Sequence, residues 1–162
     1  MNKRAEELRR TLVRKIDEVA LERQHRPPLY DTLCGGLSDG TAARKLGAGY
    51  DVLAPGMRSC PYHLHHAQEE MFVILDGQGT LRVAGEMIPI AASDVIDIPP
   101  GPEYPHQIIN TSAAPLKYLS ISTQEYPEVC EYPDSGKVAG YTRGLRIIQR
   151  PEDALDYWAG EP

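Results

Sequence analysis

His63 and His65 stand two residues apart, and Glu70 follows five residues after His65. Alternate side chains of a strand share one face, so a strand through this segment points both imidazoles the same way. Glu70 comes after a short turn and opens the next apolar run. Two imidazoles and a carboxylate from adjacent strands can converge on one ion. Imidazole suits Zn, Cu, Fe and Ni, and carboxylate suits harder ions such as Mn. Glu69 could replace Glu70 only with a different turn, and His66 points away from its neighbour His65 to the exterior.

These residues need strands to carry them. The stretch from Leu46 to Ile121 holds short runs of Val, Ile, Leu and Tyr broken by turn residues. Their spacing predicts strands over 46–53, 62–64, 71–75, 80–84, 87–90, 95–98, 107–109 and 116–122. Asp76-Gly77-Gln78-Gly79 reads as a hairpin loop folding the fourth of these back on the third. No 3.6-residue period persists here, so the expectation is an all-β sandwich or barrel. Upstream, Ala5, Leu8, Leu12, Ile16, Val19 and Ala20 recur at spacings of three or four, which predicts a helix over 3–25, stopped by Pro27 and Pro28. Downstream, a short strand is expected around 146–148, and Pro151 starts a short helix running through Trp158.

The segment from Gly56 to Gly77, GMRSCPYHLHHAQEEMFVILDG, resembles the first motif of the cupin superfamily: Gly, His-x-His, Glu, then Gly after six residues. A second segment, SDVIDIPPGPEYPHQIIN, resembles the second motif at Pro99, Gly101, His106 and Asn110. The resemblance covers about residues 46–122 and points to the small single-domain bacterial cupins, whose reactions are generally unassigned. It implies a double-stranded β-helix, or jelly-roll, barrel, here with an N-terminal helix and a short C-terminal helix. It also implies a divalent transition metal (Mn, Fe, Ni, Zn or Cu) on His63, His65, Glu70 and His106. Two departures stand out. Ser93 occupies a position where the motif has Gly. The gap from Gly101 to His106 holds four residues where the motif has two, so 102–105 must bulge. The division expected is an N-terminal helical extension over 1–28, a barrel over 29–125 and a C-terminal extension over 126–162.

Other polar residues have plainer readings. His25 is expected at a helix end, where a cation is favourable. Cys60, three residues before His63, reads as buried and inert, and Cys34 and Cys130 have no visible partners. Tyr50, Tyr62, Tyr104 and Tyr118 read as core or as pocket lining. Arg58, Arg82 and Lys117 are weak candidates for holding a carboxylate or phosphate. Asn110 reads as a barrel stabiliser and Gln107 as a donor behind the ligands.

Composition narrows the function classes. The 162 residues carry 17 Lys and Arg against 23 Asp and Glu, a net charge of -6, which argues against a nucleic-acid partner. The first residues, MNKRAEELRR, have charge but no apolar stretch behind them, so neither a signal peptide nor a membrane span is expected. Three cysteines without a CxxC pair fit a reducing, cytoplasmic setting. The apolar stripe from Leu8 to Val19 predicts a homodimer. Four protein ligands leave coordination positions open, as in catalytic sites. The expectation is therefore a metal-dependent enzyme for a small hydroxy acid, keto acid or sugar, by isomerase, lyase or decarboxylase, or dioxygenase chemistry. The alternative is non-catalytic binding or sensing of such a molecule.

Overall fold

The computed structural model describes residues 2–162. A helix, α1 (Lys3–Leu12), precedes thirteen strands. The first six are β1 (Glu22–Arg26), β2 (Tyr30–Gly36), β3 (Leu46–Leu53), β4 (Leu64–His65), β5 (Glu70–Asp76) and β6 (Gln78–Val83). Then come β7 (Glu86–Ala91), β8 (Val95–Ile98), β9 (His106–Ile109), β10 (Leu116–Thr123), β11 (Glu128–Tyr132), β12 (Lys137–Tyr141) and β13 (Arg146–Gln149). One sheet runs β1-β2-β3-β10-β5-β8, and two smaller ones run β13-β12-β11-β4 and β7-β6-β9. Backbone bonds between His63 and His106 bridge the two smaller sheets. The architecture is the expected jelly roll.

Alternation along the strands fills the interior. On β5, Phe72 and Ile74 point in while Met71 and Leu75 point out. On β8, Ile96 and Ile98 are inside and Val95 is outside. The core joins these to Leu53, Leu116 and Tyr118 of the large sheet and to Leu81, Ile90 and Ile108 of the three-stranded one. This is the two-period pattern of sheets packed face to face.

Three expectations are corrected. The helix predicted over 3–25 ends at Leu12, and Val13 is already extended at φ -117°, ψ 129°. Glu22–Arg26 instead pairs with Tyr30–Gly36, and Arg23 grips Asp31 through two hydrogen bonds of 2.8 and 2.7 Å. Pairing at the edge of a sheet overrode a weak helical period, and it places His25 on a strand opposite Asp31. The C-terminal helix is a single 3-10 turn at Pro151–Asp153, too short to nucleate further α-helix. Finally, Asp76-Gly77 is no hairpin loop. β5 pairs with β10 and β8, whereas β6 pairs with β7 and β9, so the chain crosses between sheets there. Gly77 makes the crossing at φ +89°, where an added Cβ would lie 2.7 Å from the Pro115 carbonyl oxygen.

Ser93, standing where the motif has Gly, adopts φ +82°, so that position demands the left-handed region here too. Asn110 is fully buried and ties three segments: its Nδ2 donates to the Leu53 and Ala114 carbonyls at 2.9 and 2.8 Å, and its Oδ1 accepts from Ser112. Asn110→Ala removes the side-chain donor of the buried Leu53 carbonyl and the acceptor of the Ser112 N–H, while the Ala114 carbonyl keeps the Ser112 hydroxyl. The substitution should lower unfolding stability by roughly 3 kcal/mol, read from denaturant melts, while the isolated surface change Lys117→Ala stays within about 0.5 kcal/mol.

Candidate metal centre

The site is built at the bridge between the two smaller sheets. His63 and His106 exchange backbone bonds of 2.7 and 3.2 Å, an antiparallel pairing that puts both side chains on one face. Their rings lie 4.6 Å apart. Leu64 turns into the barrel, and His65 returns to the face of His63, with the two rings 4.9 Å apart. Glu70 opens β5 beneath them. The loop 102–105 does bulge, yet it reaches: Gly101 N–H donates to the His65 carbonyl at 2.8 Å, and His106 arrives with 1% of its side chain exposed.

Three imidazole nitrogens converge on one carboxylate oxygen. Glu70 Oε2 lies 2.8 Å from His106 Nε2, 3.4 Å from His65 Nε2 and 3.9 Å from His63 Nε2. His63 Nδ1–H donates to the Pro61 carbonyl at 2.9 Å, and His106 Nδ1–H donates to the Tyr104 carbonyl at 3.2 Å. Those acceptors fix the tautomer and turn the lone pair on each Nε2 toward the centre. Although His106 Nε2 and Glu70 Oε2 are close, neither is hydrogen-bonded, and both are buried. Burial works against the Glu70 charge, but His106, His65 and His63 outweigh it and hold the carboxyl below its usual range. Burial likewise pulls His65 below the ordinary imidazole value, against the attraction of Glu70.

His65 differs from the other two histidines in what stands behind it. Its Nδ1 faces the Cys130 thiol at 3.2 Å and a Glu128 oxygen at 3.8 Å. Glu128, 2% exposed, also accepts from the backbone N–H groups of His66, Ala67 and Gln68. It thus pins the turn between the His-x-His strand and Glu70. Sequence reasoning missed both residues. No sequence signal pointed to them, because β11 buries Glu128 and Cys130 and exposes Val129 between them, the reverse of an apolar-inward pattern. Burial pushes the Cys60 and Cys130 thiols up to about 12, and Cys60, partly buried, lies with its Sγ 3.7 Å from His63 Nδ1.

The remaining candidates lie elsewhere. His66 points outward and meets Glu131 at 2.7 Å. Glu69 is exposed. Arg82 binds Asp134 through two bonds and stacks 3.7 Å over Tyr62, and Lys117 pairs with Asp76. Tyr118 and Tyr62 are buried, and Tyr104 is exposed. Gln107 is buried and donates to the Cys60 carbonyl at 2.6 Å. Among the described residues no helix is long and apolar enough to cross a membrane.

A jelly-roll barrel with a His-x-His strand, a following Glu and a distant third His defines a class of small β-barrel proteins. Residues 49–122 match the cupin domain model, so the chain contains a cupin domain. A protein of Acidithiobacillus ferrooxidans, proposed as a sugar phosphate isomerase, superposes with a TM-score of 0.81 at 27% identity, covering 91% of this chain and 97% of that one. Auxin-binding protein 1 of Arabidopsis thaliana is 32% identical over 76% of this chain and 64% of its own length. An uncharacterized protein of Methanocaldococcus jannaschii is 38% identical over 40% of this chain and 50% of its own. The chain thus spans between half and two thirds of the length of these two sequence relatives.

Two outcomes follow from this geometry. Glu128→Ala leaves the Ala67 and Gln68 N–H groups without their acceptor, while the His66 N–H keeps the Val129 carbonyl, so it should cost roughly 2 kcal/mol in denaturant melts. The second concerns pH in metal-free protein. His65 titrates below its unfolded value, so the unfolded chain takes up more protons as pH falls. Stability should decline as pH drops below about 6.5, and a flat profile between pH 7 and 5 would contradict the burial of His65.

Proposed function

We propose that this chain is a metal-dependent enzyme acting on a small oxygenated metabolite, with one Mn, Fe, Ni, Zn or Cu ion on His63, His65, Glu70 and His106. The observation that carries this reading is the orphaned pair, Glu70 Oε2 and His106 Nε2, at the point of convergence. Buried polar atoms facing each other without a hydrogen bond are costly, and a cation between them removes the cost. Three imidazole nitrogens and one carboxylate suit a first-row divalent ion and leave coordination positions for a ligand. Such an ion supplies Lewis acidity to a metabolite oxygen.

The chain's own residues orient the donors. The Pro61 and Tyr104 carbonyls hold His63 and His106, and Cys130 with Glu128 backs His65. Phe72, with its ring 5.7 Å from that of His106, gives the inner side of the site an apolar wall. The likeness to the A. ferrooxidans protein spans nearly the whole length of both chains, and it favours isomerisation of a sugar or sugar phosphate over decarboxylation or O2 chemistry. A second reading, binding of a small organic acid or sugar without turnover, draws on the likeness to auxin-binding protein 1. The three free cysteines agree with a reducing compartment such as the cytoplasm.

Elemental analysis of purified protein should find about one such ion per chain. His63→Ala and Glu70→Ala should each cut occupancy by roughly tenfold or more, since even outer-shell changes cost 10–100-fold in affinity. Wild-type metal content in both variants would refute the ligand set. Metal-loaded protein incubated with aldose and ketose phosphates and followed by NMR should interconvert them. Binding without turnover would select the second reading, and neither binding nor turnover would sink both.

A further inference from the structure

The C-terminal segment and the N-terminal helix are both left uncovered by their own barrel. Residues 151–162 are ordered into a 3-10 turn and a second turn, with the Trp158 N–H bonded to Asp156 Oδ1 at 2.9 Å. Among the described residues, every hydrogen bond of this segment stays within residues 150–161. Yet it exposes 84% of Leu155, 83% of Tyr157 and 72% of Trp158. Its charged residues are Glu152, Asp153, Asp156 and Glu161, all acidic. None of them has a salt-bridge partner among the described residues.

The opposite character lies at the other end of the chain. A groove of about 390 Å³ between α1 and the barrel edge is lined by Arg9, Arg10, Arg14 and Lys15 over Val13 and Val19. Lys15 is paired with Glu18, and Arg14 donates to the carbonyls of Arg10, Asp39 and Gly40. No carboxylate neutralises Arg9, Arg10 or Arg14 among the described residues. Beside the groove, Leu12 and Val13 are 61% and 47% exposed.

We propose that residues 151–162 of one chain dock in the basic groove beneath α1 of a second copy, and reciprocally, to form a homodimer. Charge and apolar surface both match: an acidic strip with Leu155, Tyr157 and Trp158 meets cations around an apolar floor. Area agrees as well. Aromatic side chains bury about 150–250 Å² each, so two reciprocal tails supply roughly 600–1,000 Å² from Tyr157 and Trp158 alone. With Leu155, Leu12 and Val13 added, the total approaches the roughly 1,200–2,000 Å² of a stable interface. Tyr157 and Trp158 meet edge to face with centroids 4.9 Å apart, the kind of rigid aromatic anchor that dominates interfaces.

A charge exchange tests the inference, with light scattering and sedimentation across a range of protein concentrations. One variant carries Arg9→Glu and Arg10→Glu, and the other carries Glu152→Lys and Asp153→Lys. Wild type should be a dimer. Each variant alone should dissociate, with its dimer constant weakened at least tenfold, because its tail and groove repel. Mixed in equal amounts, the two should dimerise again, because both contacts of the mixed pair are complementary. Trp158→Ala should weaken the wild-type dimer at least tenfold without shifting its far-UV spectrum. A monomeric wild type overturns the inference, and so does a dimer indifferent to all these changes. Variants that dissociate but do not recover on mixing also overturn it, since a tail docked on its own chain gains nothing from a second copy.

Discussion

Two backbone hydrogen bonds between His63 and His106 hold the chemistry of this molecule together. They join the two smaller sheets where no full strand pairing does so. Directly opposed residues of an antiparallel pair share a face, so the same bonds that join the two smaller sheets also set the two imidazoles side by side. His65 follows from the two-residue period of the same segment, and Glu70 from the pairing of β5 with Ile98 at the adjacent edge. Two registers therefore set the four side chains, one at the His63–His106 bridge and one between β5 and β8, and a one-residue slip in either would turn its own residues to the opposite face.

The arrangement is expensive in the metal-free protein. The apolar core around Phe72 and Ile108 could have extended into this end of the barrel. Instead, three imidazoles crowd one carboxylate, and two of the atoms go without a hydrogen-bond partner. Asn110 offers a contrast within the same motif, since its amide satisfies two carbonyls and its oxygen is satisfied by Ser112. A structural polar residue is fully bonded, whereas the candidate site is incompletely bonded at its focus. Gln107 Oε1 is also buried without a partner, but Glu70 Oε2 and His106 Nε2 face each other at 2.8 Å, and such paired shortfalls are where a protein gives up stability for function.

The barrel and the four-residue cluster were legible because both rest on short-range rules. Alternation placed the strands 46–53 and 95–98 at their observed bounds, and motif spacing picked out His63, His65, Glu70 and His106. Partner choice was less legible. Asp76-Gly77 has the composition of a hairpin loop, and only the long-range partners of β5 and β6 reveal a crossing between sheets. The strand over 22–26 was hidden because its residues are all exposed at a sheet edge and carry no apolar alternation. Glu128 and Cys130 were invisible for a different reason. Their importance comes from lying opposite a short strand more than sixty residues away.

That last pairing alters what counts as the functional unit. The family match ends at residue 122, but Cys130 and Glu131 pair with His65 and Leu64, and Glu128 clamps the turn leading to Glu70. The face of His65 turned away from the cluster is therefore made by the C-terminal extension. β11 also carries Tyr132, whose ring stacks 6.2 Å from that of His63. Trimmed to the matched domain, the barrel would keep four donors, but His65 would face solvent in place of a thiol and a carboxylate. β12 and β13 extend the same sheet outward from β11, so the strand that backs His65 is itself held in place by the rest of the extension.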